Sequence, residues 1–111
     1  MKASLRQIYG IEEDEMKLLR LMKLHGGEEF LHIGEIHSMP EIPSLFNDYS
    51  EKINYSSKLA ECLRSLQLKV CLDFTPILTK ERKEYQTLGK ISAPAYRIKR
   101  LALAILSDNN G

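Results

Sequence analysis

The sequence predicts an α+β fold in one domain spanning residues 1–111, with three or four helices leading into a two- to three-stranded antiparallel ribbon. Three observations carry this. Leu59, Cys62, Leu63 and Leu66 recur at i, i+3, i+4 and i+7, the spacing of an amphipathic helix. Directly after them Leu68, Val70, Leu72 and Phe74 alternate with Lys69, Cys71, Asp73 and Thr75, the period of a strand with one buried face. Charge is also divided along the chain. Residues 1–51 carry five basic and ten acidic side chains and residues 52–111 carry eleven basic and five acidic, so −5 and +6 sum to the formal +1. Helix and ribbon therefore lie in a positive half, a layout suited to a polyanionic partner.

In chain order, Glu12-Glu13-Asp14-Glu15 opens the first helix, residues 12–25, and Gly26-Gly27 closes it. Acids in the first turn, bases further on and glycine at the stop suit the helix dipole and its C-terminal cap. Ile11, Leu18, Leu21 and Met22 share its core face, while Met16, Leu19 and Leu24 lie off that face. Its second apolar side needs cover from another helix of this chain or of a second chain. Residues 30–33 read as a short extended segment and residues 34–39 as a short helix. Pro43 fits the first turn of a further helix carrying Leu45, Phe46, Tyr49 and Ile53.

For the helix around residues 59–66, Tyr55 joins the apolar side and Asn54 or Ser56 serves as the N-cap. Asn54, Ser57, Glu61, Arg64 and Ser65 occupy the opposite face, with Lys58 at its margin. Residues 77–92 read as a basic hairpin tip with Lys80, Arg82, Lys83 and Lys90, turning at Gly89. Tyr96 and Ile98 alternate with Arg97 and Lys99 on the return strand, residues 101–106 change to a helical pattern, and residues 107–111 form a flexible tail.

Composition narrows the function classes. Hydrophobic residues make up 43% and charged residues 28%, the proportions of a globular domain rather than a disordered tail. The longest apolar run, residues 101–106, falls far short of the roughly 20 residues that span a bilayer, and no leader pattern follows the first residues; a cytoplasmic location is expected. Cys62 and Cys71 are too few for a disulfide scaffold and are expected to be reduced structural thiols. His32, Glu35 and His37 do not match a zinc-binding spacing and read as structural, so no metal or other cofactor is expected. There is no glycine-rich phosphate loop and no nucleophile elbow, and the chain is expected not to be an enzyme. Asp73 and Lys69 read as an exposed pair on the ribbon.

The segment Tyr55-Ser56-Ser57-Lys58-Leu59-Ala60-Glu61-Cys62-Leu63-Arg64-Ser65-Leu66-Gln67 resembles the recognition helix of small bacterial and archaeal winged helix-turn-helix regulators, with hydroxyls at its start and Leu-Arg-x-Leu at its end. Tyr96-Arg97-Ile98-Lys99 and the following helix are similar to their returning wing strand and C-terminal helix. The likeness covers the element order from about residue 12 to 106 and the motif detail of about 30 residues; residues 40–48 are an insertion relative to it. It implies a winged helix that binds double-stranded DNA and regulates transcription by occupying a site, with a role in replication or in a virus as an equivalent use of the same surface. It also implies a homodimer through the first and last helices.

The expected DNA contacts are Asn54, Ser56, Ser57, Lys58, Glu61 and Arg64 on the helix and Lys80, Arg82, Lys83 and Lys90 on the hairpin. Short polar side chains approach base edges, Arg64 suits guanine or phosphate, and Glu61 suits a cytosine amino group or a pair with Arg64. Lysines and arginines on a hairpin suit phosphates or the minor groove. The alternative is a winged-helix protein-interaction module within a larger assembly.

Overall fold

The computed structural model describes residues 3–82 and 89–108, with Arg82 described by its backbone alone. It is α+β, and among the described residues six helices accompany one three-stranded antiparallel sheet. The expected contact Lys83, the tip 83–88 and residues 109–111 of the expected tail lie outside the described residues. None of the described helices is long and apolar enough to cross a membrane.

A short helix that the sequence reading missed, α1 (Leu5–Ile8), comes first. Its signal was present: Ser4 Oγ accepts from the Gln7 N–H at 3.2 Å and Gln7 Oε1 accepts from the Ser4 N–H at 3.0 Å, the reciprocal capping box of an S-x-x-Q sequence. Helix α2 (Glu13–Gly26) follows. Met16, Leu18, Leu19 and Met22 are all buried, because α5, α6 and β3 pack around this helix and cover its second apolar side within one chain. Leu24 is left 73% exposed.

Strand β1 (Leu31–His32) runs straight into α3 (Ile33–His37), where Glu35 Oε1 accepts from the His32 N–H at 2.9 Å. Helix α4 (Ile42–Leu45) has Pro43 in its first turn and buries Ile42 against the core. It stops at Leu45 instead of continuing to Ile53. Asn47 and Asp48 open a turn, residues 51–54 form another, and Ser50 and Tyr55 close the loop with backbone bonds of 2.9 and 3.2 Å.

Helix α5 (Ser57–Leu68) buries Leu59, Cys62, Leu63 and Leu66, as its periodicity predicts. The expected strand over residues 68–74, however, begins four residues late. Leu68 still belongs to α5, and the chain leaves the helix through a Schellman turn in which Val70 N–H donates to Gln67 O at 3.1 Å and Cys71 N–H to Leu66 O at 2.9 Å. This breaks the expected alternation: Leu68 (78% exposed) and Val70 (53%) point outward and Cys71 points into the core, while Leu72 is buried as expected. Val70 has φ 62°, a left-handed conformation that a β-branched residue adopts at a cost. Val70→Gly is therefore expected to stabilise the domain by about 0.5–1 kcal/mol, the relief of that strain less the added freedom of glycine in the unfolded chain; urea unfolding of the two proteins checks it.

Strands β2 (Leu72–Arg82) and β3 (Gly89–Ile98) pair in antiparallel register, and the sheet order is β1-β3-β2. Gly89 opens β3 opposite Arg82 rather than forming the turn, so the hairpin is longer than its sequence suggested. A bulge between Thr75 and Leu78 accommodates Pro76, which has no N–H to give to a ladder. Phe74, expected inward, is half exposed and packs on Tyr96 with ring centroids 4.9 Å apart. Helix α6 (Arg100–Ser107) closes the core with Ala102 and Ile105. Both cysteines are free and buried, and desolvation, reinforced by the charge of Glu15, pushes the Cys62 thiol up to about 12, far from the reactive thiolate.

Candidate nucleic-acid interface

The start of α5 is fixed by four neighbouring side chains. Ser56 is the N-cap; its Oγ accepts from the Leu59 N–H at 3.1 Å and donates to Asp48 Oδ1 at 2.5 Å. Asp48 Oδ2 accepts from the Lys58 N–H at 3.1 Å, so one carboxylate ties the loop to two positions of the first turn. The Ser56 hydroxyl first, and the Lys58 amide after it, hold the Asp48 carboxyl below its ordinary range against a smaller desolvation effect. His37 of α3 donates from Nδ1 to Ile33 O at 2.9 Å, lies with Nε2 3.4 Å from Ser56 O, and stacks on Tyr55 at 5.1 Å.

Two of the expected DNA contacts are already engaged within the domain. Ser56 is 0% exposed and both its bonds are internal, so it builds the helix start and does not reach a groove. Asn54 sits in the left-handed region at φ 49° and is not the cap; Oδ1 accepts from the Tyr49 hydroxyl at 2.6 Å and Nδ2 donates to Ser38 Oγ at 2.9 Å. Its amide is a latch between the loop and α3.

The remaining helix candidates share one outward side. Ser57, Lys58, Glu61 and Arg64 are all exposed, with Gln67 one turn beyond Arg64. Ser65, expected on that side, is turned inward and donates to Glu15 Oε2 at 2.8 Å. Lys58 Nζ donates to Asn47 Oδ1 at 2.8 Å. Glu61 and Arg64 form no ion pair with each other, and neither has a partner among the described residues. Arg64 lies close enough to the sheet for its charge to act on Tyr96: burial raises the pKa of that hydroxyl and Arg64 pulls it partly back. Helix α5 itself packs against β2.

Among the described residues of the hairpin, one expected contact is already paired. Lys80, expected as a DNA contact near the tip, turns back to the body of the domain, donating to Glu35 Oε1 at 2.9 Å and to the Phe30 carbonyl. Desolvation alone would raise the Glu35 carboxyl, but Lys80 and the His32 amide hold it below its ordinary range. His32 Nε2 donates to Leu78 O at 2.7 Å, a side-chain tie between β1 and β2. His32 and His37 are therefore structural, and no group of His, Cys, Asp and Glu among the described residues is arranged to hold a metal ion.

Lys90 is exposed on β3, opposite Glu81. Arg97 reaches across the strands to Asp73, with Nη2 at 2.9 Å and Nε at 3.3 Å from Oδ2, and lies 4.4 Å over the Phe30 ring. Lys99 is 3.5 Å from the other oxygen of Asp73. The expected Lys69–Asp73 pair is absent because Lys69 caps α5 and does not enter the strand; its Nζ is 2.6 Å from Glu15 Oε1 and 2.7 Å from Gly10 O. Exposed Lys52, in the turn before α5, is a cation the sequence reading passed over, since no periodic element contains it.

Comparison with protein-family models, curated proteins and solved structures finds no match.

Proposed function

We propose that the domain is a winged helix that binds duplex DNA through the outward side of α5 and the β2–β3 hairpin, regulating transcription as a homodimer by occupying a site. The observation that carries this reading is the exposed row Ser57, Lys58, Glu61 and Arg64, which forms no ion pair among the described residues, on a helix that packs against the hairpin strand β2. Element order supports it: helix α2, strand β1, helices α3 and α5, then the hairpin, with sheet order β1-β3-β2.

A helix of 12 residues is roughly 18 Å long and fits a major groove about 12 Å wide. In such a pose Ser57 and Lys58 meet the first base edges or phosphates, Arg64 forks onto guanine or a phosphate, and Glu61 accepts from a cytosine amino group. Lys90 meets the backbone. Because His37, Asp48 and Asn54 already hold the start of α5, little ordering is left for the moment of binding.

Fluorescence anisotropy with mixed-sequence duplexes at low and physiological salt tests the proposal. Binding that weakens as salt rises is expected; no binding at either salt would sink it. The competing reading is a protein-interaction module, favoured by the commitment of Lys80, Arg97 and Lys99 to internal acids and by exposed Ile77 and Leu68. Neutralising Arg64 and Lys90 together separates the two, since a module of that kind keeps its partner.

A further inference from the structure

On α2, Lys17, Arg20, Leu21 and Leu24 recur at i, i+3, i+4 and i+7 and form one stripe. At 100° per residue Leu24 lies half a turn from Glu15, whose carboxylate binds Ser65 and Lys69 of α5. The stripe therefore points away from α5. Beside it stands α4, and the two helices bound an open groove of about 360 Å³ lined by Lys17, Arg20, Leu21, Glu41, Ser44 and Leu45. An apolar knob, Leu24, thus adjoins a groove with an apolar floor, Leu21 and Leu45. A knob beside a hole on one face is what a two-fold contact between identical chains requires, because each copy then gives a knob and receives one.

We propose that the α2–α4 face is where a second copy of this chain docks, with Leu24 of each copy entering the groove of the other. Charge complementarity favours a second copy: the cations Lys17 and Arg20 line the α2 side of the groove and the acid Glu41, the N-cap of α4, lines the other, so in the proposed contact Arg20 of each copy pairs with Glu41 of the other. Arg20 has no partner among the described residues, and Glu41 is held by exposed His25, 3.0 Å away. The C-terminal helix has little left to offer, since Ala102 and Ile105 are buried and Leu101, Leu103 and Leu106 pack on the chain's own core. A contact confined to one knob and one groove per copy suits a transient dimer rather than an obligate one. This deepens the homodimer part of the reading above and leaves the outward side of α5 free.

Sedimentation equilibrium of the full chain without DNA, from about 1 to 500 µM, tests it. The wild-type chain is expected to dimerise across that range. Leu24→Asp removes two knobs per dimer and weakens self-association at least about 100-fold, while circular dichroism of the dilute monomer stays unchanged because the side chain is exposed, and its unfolding midpoint falls only by the cost of an acid in the last turn of α2. Arg20→Glu and Glu41→Arg each weaken the dimer, and the double exchange restores it. A Leu24→Asp protein that dimerises like the wild type moves the interface elsewhere and overturns the proposal. A wild-type chain that stays monomeric throughout leaves the groove to a foreign partner and overturns it as well. Anisotropy with a duplex, run on the same samples, reports DNA binding separately.

Discussion

Glu15→Gln lowers the unfolding free energy by about 2–3 kcal/mol, measured by urea denaturation at neutral pH. Glu15 is a buried carboxylate on α2 that accepts from Lys69 Nζ at 2.6 Å, Ser65 Oγ at 2.8 Å and the Glu12 N–H at 2.9 Å. It joins the start of α2 to the end of α5. The amide keeps the shape but removes the charge that compensates Lys69. Breaking a buried pair costs up to about 5 kcal/mol, but Lys69 is 27% exposed and can turn to water, which places the loss in the lower part of that range.

The same site sets part of the acid response. Burial alone would raise the Glu15 carboxyl, but Lys69, the Glu12 amide and the Ser65 hydroxyl outweigh it and hold it below the ordinary range. The folded state then binds fewer protons than the unfolded chain, so stability rises with pH through this window. The contribution is complete above the unfolded value, about pH 4.3, and is lost as pH falls through the lower folded value. Glu35 and Asp73 act with the same sign. Glu15→Gln should flatten the acid limb of the stability curve, and a limb of unchanged steepness would refute this account.

Arg64→Ala weakens duplex binding by about 10- to 100-fold, or about 1–3 kcal/mol. Its effect on folding stays within about 0.5 kcal/mol, since Arg64 is exposed and bonds to none of the described residues. Two outcomes distinguish its role. A loss spread evenly over duplex sequences, with the salt slope reduced by about 1, assigns Arg64 to phosphate; a loss confined to one base position assigns it to a base edge. Unchanged affinity would remove α5 from the proposed interface.

Helices α2 and α5 and the return strand were legible because burial writes its period directly into the sequence. The junction after α5 was not. Leu68 and Val70 continue an apolar alternation into Leu72, and parity alone cannot tell a strand from a helix that ends in a left-handed turn. Polar residues at a helix start are equally ambiguous. Ser56 and Asn54 carry the groups that suit a base edge, yet those groups are used on Asp48, Leu59, Tyr49 and Ser38. Lys80 shows the limit for charge: its acid, Glu35, is 45 residues away in sequence, so local pattern gave no hint that this cation was already neutralised.

Strand β2, 11 residues long, stands at the rim of the sheet, with β3 its one partner strand among the described elements. A long, regular rim is a template on which foreign strands can stack into aggregates. Here the irregularity at Pro76 and Ile77 interrupts the template after its first four residues, and the proline offers an intruding chain no donor. The kink that shapes the ribbon is thereby expected to oppose strand stacking as well, and straightening it should be felt in aggregation before it is felt in stability.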